Sequence, residues 1–338
     1  MTDNSENRLN EKSSIHLEGA EFSSASWRRV RGGRNIKVKC PATVANLVCG
    51  FDILGMALYE PFDIIRLSLI DEPKVIIRHQ DNFNLPTEPE KNVAGVVLLS
   101  IIEKMNLKTG FEIEIDKRIK PGSGIGSSAA SAAGAAVAAS ILLGNIFSTA
   151  EIIQFALNGE KLASGEKHAD NIAPCVTGGV SLIRNLDPLD IVSIPAPELF
   201  VALVHPQIEI KTAYARKILP QQVPLKDAIK QWGNIAGLVS GFFKNDADLI
   251  GRSLVDGIIE PVRSKLIPGF DEVKSRSIEA GALGGGISGS GPSVFMLCKS
   301  EAIARSVESE MKDVYLKAGI EHNTFVTTIN KNGVEVIE

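Results

Sequence analysis

Cysteine is scarce in this chain of 338 residues, and the four present, Cys40, Cys49, Cys175 and Cys298, lie far apart. There is no C-x-x-C pair and no histidine at ligand spacing, so they read as small buried hydrophobes in a reducing compartment. Positive charge is not in excess: 36 Lys and Arg stand against 40 Asp and Glu. The one basic cluster (Arg28, Arg29, Arg31, Arg34) lies in a polar leader, so nothing points to nucleic acid. The N-terminus lacks an apolar signal core after its charges, which implies a cytoplasmic protein. The charge-free interval from Pro121 to Ala150 is long enough to cross a bilayer, but it consists mostly of Ala, Gly and Ser. Without the Leu/Ile/Phe density of a spanning helix, it reads as a buried, closely packed soluble helix. No period repeats, which excludes a solenoid.

What the chain does have is Pro121-Gly-Ser-Gly-Ile-Gly-Ser-Ser128, between an alternating run and a small-residue helical run. Glycines at 122, 124 and 126 permit backbone conformations that turn successive N–H groups onto one anion. The following helix adds unpaired N–H groups and a positive dipole end at Ser127 and Ser128. A Walker A loop would need a lysine after Gly126, and a dinucleotide loop would need G-x-G-x-x-G; neither is present. A tight strand-to-helix turn without a ligand is the competing reading.

Length and composition allow two cored domains. Residues 1–34 read as a flexible extension. Strands are expected at Ile36–Cys40, ending at Pro41, then at Asp63–Ile70, Lys74–His79 and Phe111–Asp116, with Phe111, Ile113 and Ile115 facing a core. Asp52 stands in apolar company and needs a cationic or multi-donor partner. Asp187–Ile191 reads as the linker between a nucleotide-binding domain, 35–190, and a second domain, 191–338. Helices are expected over Leu225–Lys244 and 301–318. Between them a second glycine-rich segment, Gly281–Ser293, leads into the strand Val294–Cys298.

Three segments together resemble the GHMP kinases, the superfamily of galactokinase, homoserine, mevalonate and phosphomevalonate kinases. They are Pro41-Ala-Thr-Val-Ala-Asn46 through Gly50-Phe-Asp52, the 121–128 loop, and Gly286-Ile-Ser-Gly-Ser-Gly-Pro292. Within the family the chain is most similar to the branch that phosphorylates L-homoserine, on Lys91–Gly95, Lys167-His-Ala-Asp-Asn171, Ile259–Arg263 and Lys265–Pro268. Val48 departs from that pattern, standing where a glycine is usual. The resemblance implies an α+β, two-domain architecture: a ribosomal-protein-S5-like N-terminal domain and a ferredoxin-like C-terminal domain. The site lies in the cleft between them, and the last strand, 333–338, is a candidate to return to the first domain. It also implies ATP as co-substrate, Mg2+ as cofactor and a homodimer.

The resemblance assigns residues as well. Pro121, Gly122, Ser123, Gly124, Ile125, Gly126, Ser127 and Ser128 hold the nucleotide phosphates, with Asn92 and Lys117 on the adenosine side; an ordinary surface lysine is the alternative for Lys117. Ser128 and Glu160 form the metal pair, sufficient for a cation that keeps several waters. Arg216 and Arg263 grip the substrate carboxylate, a bidentate task lysine cannot perform, and Asp52 meets the ammonium. Asn46, His168 and Thr212 orient the hydroxyl. Catalysis falls to Asn46, Asn171 and Arg216. The mevalonate and galactose members carry an aspartate base where this chain has Asn171, which cannot take a proton. The resemblance therefore implies catalysis by positioning and charge neutralisation. A kinase for another small alcohol and a non-catalytic nucleotide-binding protein stay open as alternatives.

Overall fold

The computed structural model describes residues 33–337, so the leader, apart from its last two residues, lies outside the described residues. Strand β1 (Asn35–Ala45) pairs antiparallel with β2 (Leu54–Ile70). Pro41 does not end β1 as expected. The register shifts there, with Pro41 opposite Phe62 and Thr43 opposite Ala57, and a break in the ladder tolerates the missing N–H. Nor does β2 start at Asp63. Its first five residues are buried on both faces and carry no alternation to read.

The chain continues through β3 (Val75–His79), α1 (Val93–Met105) and β4 (Gly110–Asp116). Next come α2 (Ser127–Leu142), α3 (Thr149–Ser164), α4 (Ile172–Thr177), β5 (Val180–Leu186) and β6 (Leu189–Ile194). In β4 the expected inward residues, Phe111, Ile113 and Ile115, are buried. Asp187–Ile191 is not a linker. It spans the turn of the β5–β6 hairpin and the start of β6, so β6 still belongs to the first sheet, and the crossing falls at residues 195–199.

The second half holds β7 (Phe200–Pro206), α5 (Thr212–Lys217), α6 (Leu225–Lys244), α7 (Ala247–Ser253), α8 (Glu260–Arg263) and α9 (Phe270–Glu279). It ends with β8 (Gly284–Ile287), β9 (Val294–Cys298), α10 (Glu301–Lys317), β10 (His322–Thr328) and β11 (Glu335–Val336). The glycine-rich segment thus contains a strand, β8, that its composition hid. Two sheets result. The larger is seven-stranded in the order β11-β1-β2-β4-β3, with β5 on β2 and β6 beside β5; the other is four-stranded, β10-β7-β9-β8. Val38 lies opposite Val336, so the last strand pairs in the first sheet. Alternation in β7 and β9 divides two cores: Val201, Leu203, Phe295 and Leu297 face the main one, and Ala202, Val204, Val294 and Met296 face a smaller one under α9 and α10.

Helix α2 is buried along its length except at Ser128, packed between β1, β2, α1 and α3. Small residues let it approach the sheet that closely. Among the described residues no helix is long and apolar enough to cross a membrane, and all four cysteines are free and buried. A Cβ on Gly134 would collide with Cys40 Sγ and lie 2.7 Å from Ile65 Cδ1. Gly134→Ala is therefore expected to destabilise by about 1–3 kcal/mol through overpacking, although helix propensity alone would favour Ala by about 1 kcal/mol. Denaturant unfolding checks this, and Cys40→Ala in the same chain should restore part of the loss.

Candidate active site

The loop after β4 is built from beneath. Asp63, fully buried on β2, accepts from the backbone N–H of Arg118 (2.7 Å) and Ile119 (2.8 Å) and from Lys117 Nζ (2.5 Å). Lys117 Nζ also donates to Ser127 O (2.6 Å) and Ser131 Oγ (3.1 Å), tying β4 to the first turn of α2. Three ammonium donors meet three acceptors. Lys117 is thus neither a surface lysine nor a free cation for the nucleotide; it borders the cleft with its charge already engaged. Asn92 is similar. Its Oδ1 caps α1 by accepting from Ala94 and Gly95 N–H, and its Nδ2 donates to Pro86 O (2.7 Å).

Gly122, Gly124 and Gly126 all take positive φ, between 73° and 80°. The second glycine-rich segment clamps the loop: Ser288 Oγ donates to Gly124 O (2.8 Å) and Ser293 Oγ to Ser123 O (2.7 Å). On the other side Thr43 N–H donates to Ile125 O (3.1 Å). With three successive carbonyls held by protein donors, the N–H groups of Gly124, Ile125 and Gly126 have no acceptor among the described residues. That is the electronic shape of an anion cradle, continued by the free N–H groups at the start of α2. Ser123 and Ile125 side chains are buried beneath the loop, so only their backbone is available to a ligand.

A cleft of about 400 Å³ opens over this loop. Ser128 Oγ donates to Glu160 Oε2 at 3.1 Å, and Glu160 is buried. Desolvation pushes its carboxyl up to about 7, against the hydrogen bonds from Ser128 and Ser164. One hydroxyl and one carboxylate suit a hard cation whose remaining ligands are phosphate oxygens and water. Among the described residues no cluster of three or more His, Cys, Asp or Glu could hold a metal by itself, so the fit is to a metal carried with a nucleotide.

The opposite wall is charged. Arg216 forms a bidentate ion pair with Asp52, Nη2 to Oδ1 at 2.7 Å and Nη1 to Oδ2 at 2.9 Å. This supplies the partner Asp52 needed. The two groups stand as one ion pair on the cleft wall, each side chain 30% exposed. Arg263 is different: only 3 % exposed, it donates to the Ala215 and Gly289 carbonyls, beside the Phe51 ring, and makes no carboxylate ion pair among the described residues. Burial, with Arg216 nearby, holds its pKa down at about 10. A buried cation with no ion-paired carboxylate has the chemistry to accept an anion.

Asn46 lines the cleft with one bond at each end of its amide. Its Nδ2 donates to Gly289 O (2.9 Å), and its Oδ1 accepts from Asp52 N–H (3.0 Å), stapling a loop in which Asn46, Leu47, Val48 and Asp52 all have positive φ. Val48, at φ 65°, holds a conformation natural to glycine. His168 borders the cleft; its Nε2 makes no hydrogen bond but lies 3.4 Å from Glu166 Oε2, and desolvation lowers its pKa. Thr212 Oγ1 lies 3.3 Å from Ser290 Oγ on the same rim. Asn171 lines the cleft and accepts at Oδ1 from Thr43 Oγ1 (2.7 Å). Two residues were missed from sequence. Asp170, 4 % exposed on the cleft, is pushed up to about 7 by burial, then by Asp52 and Glu160; its place in Lys167–Asn171 was the available signal. Thr43 lies inside Pro41–Asn46, and its place in that segment was the signal available for it.

Known proteins share this architecture. Residues 92–179 match the GHMP kinases N terminal domain and 234–317 the GHMP kinases C terminal domain. A homoserine kinase of Chlorobium phaeobacteroides is 44% identical, over 88% of this chain and 97% of its own. The chain belongs to the GHMP kinase family. Another member, a homoserine kinase of Methanocella arvoryzae, is 41% identical over 90% of this chain and 97% of its own. The crystal structure of homoserine kinase from Cytophaga hutchinsonii superimposes with a TM-score of 0.87 at 46% identity, covering 91% of this chain and 99% of that one. L. major mevalonate kinase shares the GHMP fold, with a TM-score of 0.69 at 17% identity, covering 87% and 96%. The chain is thus a two-domain α+β GHMP kinase.

Glu160 and Asp170 bind protons more tightly folded than unfolded, so the stability they contribute is full at low pH and is lost as pH rises towards about 7. In ligand-free protein, thermal unfolding should show Glu160→Gln shrinking the fall in Tm between pH 5 and pH 8. An unchanged pH dependence would contradict a raised Glu160.

Proposed function

We propose that this GHMP kinase transfers the γ-phosphoryl group of ATP to the terminal hydroxyl of L-homoserine, yielding O-phospho-L-homoserine and ADP, a step towards threonine. The observation that carries the reading is Arg263, a buried cation with no ion-paired carboxylate, lining the same cleft as the phosphate loop. It suits the carboxylate of a small acid whose far end reaches the loop. The names of the relatives give the acid, and Asp52 and Asp170 add the negative charge an α-ammonium requires, which mevalonate lacks. A zwitterionic substrate would share the Asp52–Arg216 pair, its carboxylate toward the arginines and its ammonium toward the acids.

The chemistry follows from what the residues can do. Loop N–H groups and the α2 N-terminus stabilise charge on the phosphates, and the cleft sets the hydroxyl in line. Mg2+, held by Ser128 and Glu160, would neutralise phosphate charge. Asn171 has no basic atom, so the hydroxyl proton passes to a γ-phosphoryl oxygen as the new P–O bond forms and the bond to ADP breaks. A cytoplasmic location and a homodimer accompany this reading as family expectations.

Coupled ADP release over a panel of small alcohols tests it: L-homoserine should be turned over and mevalonate should not. No turnover of homoserine would end the proposal. Arg263→Ala is expected to raise the homoserine KM about tenfold or more, with the ATP KM within about threefold. Equal effects on both would assign the arginine to the phosphates.

A further inference from the structure

Thr43 is fully buried on β1 and touches both halves of the reaction machinery. Its N–H donates to Ile125 O of the phosphate loop (3.1 Å), and its Oγ1 donates to Asn171 Oδ1 (2.7 Å). A Cβ on Gly126 would run into Thr43 Oγ1 and lie 3.2 Å from Asn171 Oδ1, so loop, hydroxyl and amide form one contact. The two ends of a primary amide differ in kind, Oδ1 accepting and Nδ2 donating. With Oδ1 engaged from below and Asn171 on the cleft, Nδ2 is left without a partner among the described residues.

Resting on the reading of the cleft as a phosphotransferase site, we infer that Thr43 is a positioning residue that locks the Asn171 amide with Nδ2 toward the reacting oxygens. Asn171 then donates to the acceptor hydroxyl oxygen, engaging one lone pair and leaving the hydroxyl proton turned away from the amide, toward the phosphoryl group. Without the lock the amide is free to rotate by half a turn, and Oδ1 would draw that proton into a bond it cannot complete. The hydroxyl of Thr43, although it touches no substrate, thereby decides which end of Asn171 meets the reaction.

A double-mutant cycle on the full chain tests this. Thr43→Val keeps the shape and removes the hydroxyl. It should lower kcat about tenfold, leave both KM values within about threefold, and be largely rescued by Thr43→Ser. In an Asn171→Ala background the same Thr43→Val should cost less than about threefold, because the amide it positions is gone. Additive losses would overturn the inference, as would an equal rise in both KM values or a failure of serine to rescue. Circular dichroism melts on each variant identify misfolding, in which case Thr43→Ser against Thr43→Ala is read in both backgrounds. Failure of the functional reading is distinguishable, because wild type would then not turn over homoserine, and the cycle would be read on ADP release with whichever alcohol, or water, accepts the phosphoryl group.

Discussion

Asp63 is the constraint on which the site depends. It is a fully buried carboxylate whose oxygens accept from two backbone N–H groups and from the equally buried Lys117. A charge pair this deep is tolerable only because each ion is saturated with hydrogen bonds, and removing either partner of such a pair typically costs about 3–5 kcal/mol. Lys117 carries the constraint onward to Ser127 O and Ser131 Oγ, so the end of β4, the loop and the first turn of α2 are fixed relative to β2. The loop's shape is therefore held by the protein's own hydrogen bonds.

Against this rigid floor the other wall is a balance of charge. Asp52 and Arg216 neutralise one another, Arg263 has no carboxylate, and Asp170 and Glu160 are both raised to about 7 by burial. The wall thus presents both signs of charge to one cleft.

The two glycine-rich segments serve each other. A Cβ on Gly124 would lie 2.5 Å from Gly291 O, and Ser288 and Ser293 hold the loop carbonyls. The second segment acts as the clamp that turns the first one's N–H groups outward, and through Gly289 O it also holds Asn46 and Arg263. The cleft between the two sheets is joined by backbone at its centre, which makes a site spanning both halves of the chain mechanically continuous.

By itself the sequence determined the local requirements: glycine where φ is positive at 122, 124 and 126, alternation in β4, the full extent of α6, and the residue types a phosphotransferase needs. Those are legible because backbone conformation and strand or helix period depend on neighbours in the chain. Engagement was decided only by tertiary structure. Thr43 meets Asn171 at a separation of 128 residues, and Asp52 meets Arg216 and Ser288 meets Gly124 at 164 each. Composition declares that a polar group needs a partner. Which partner it finds, and hence whether Lys117, Asn92 or Asn46 remains free for a ligand, depends on how the sheets close over one another.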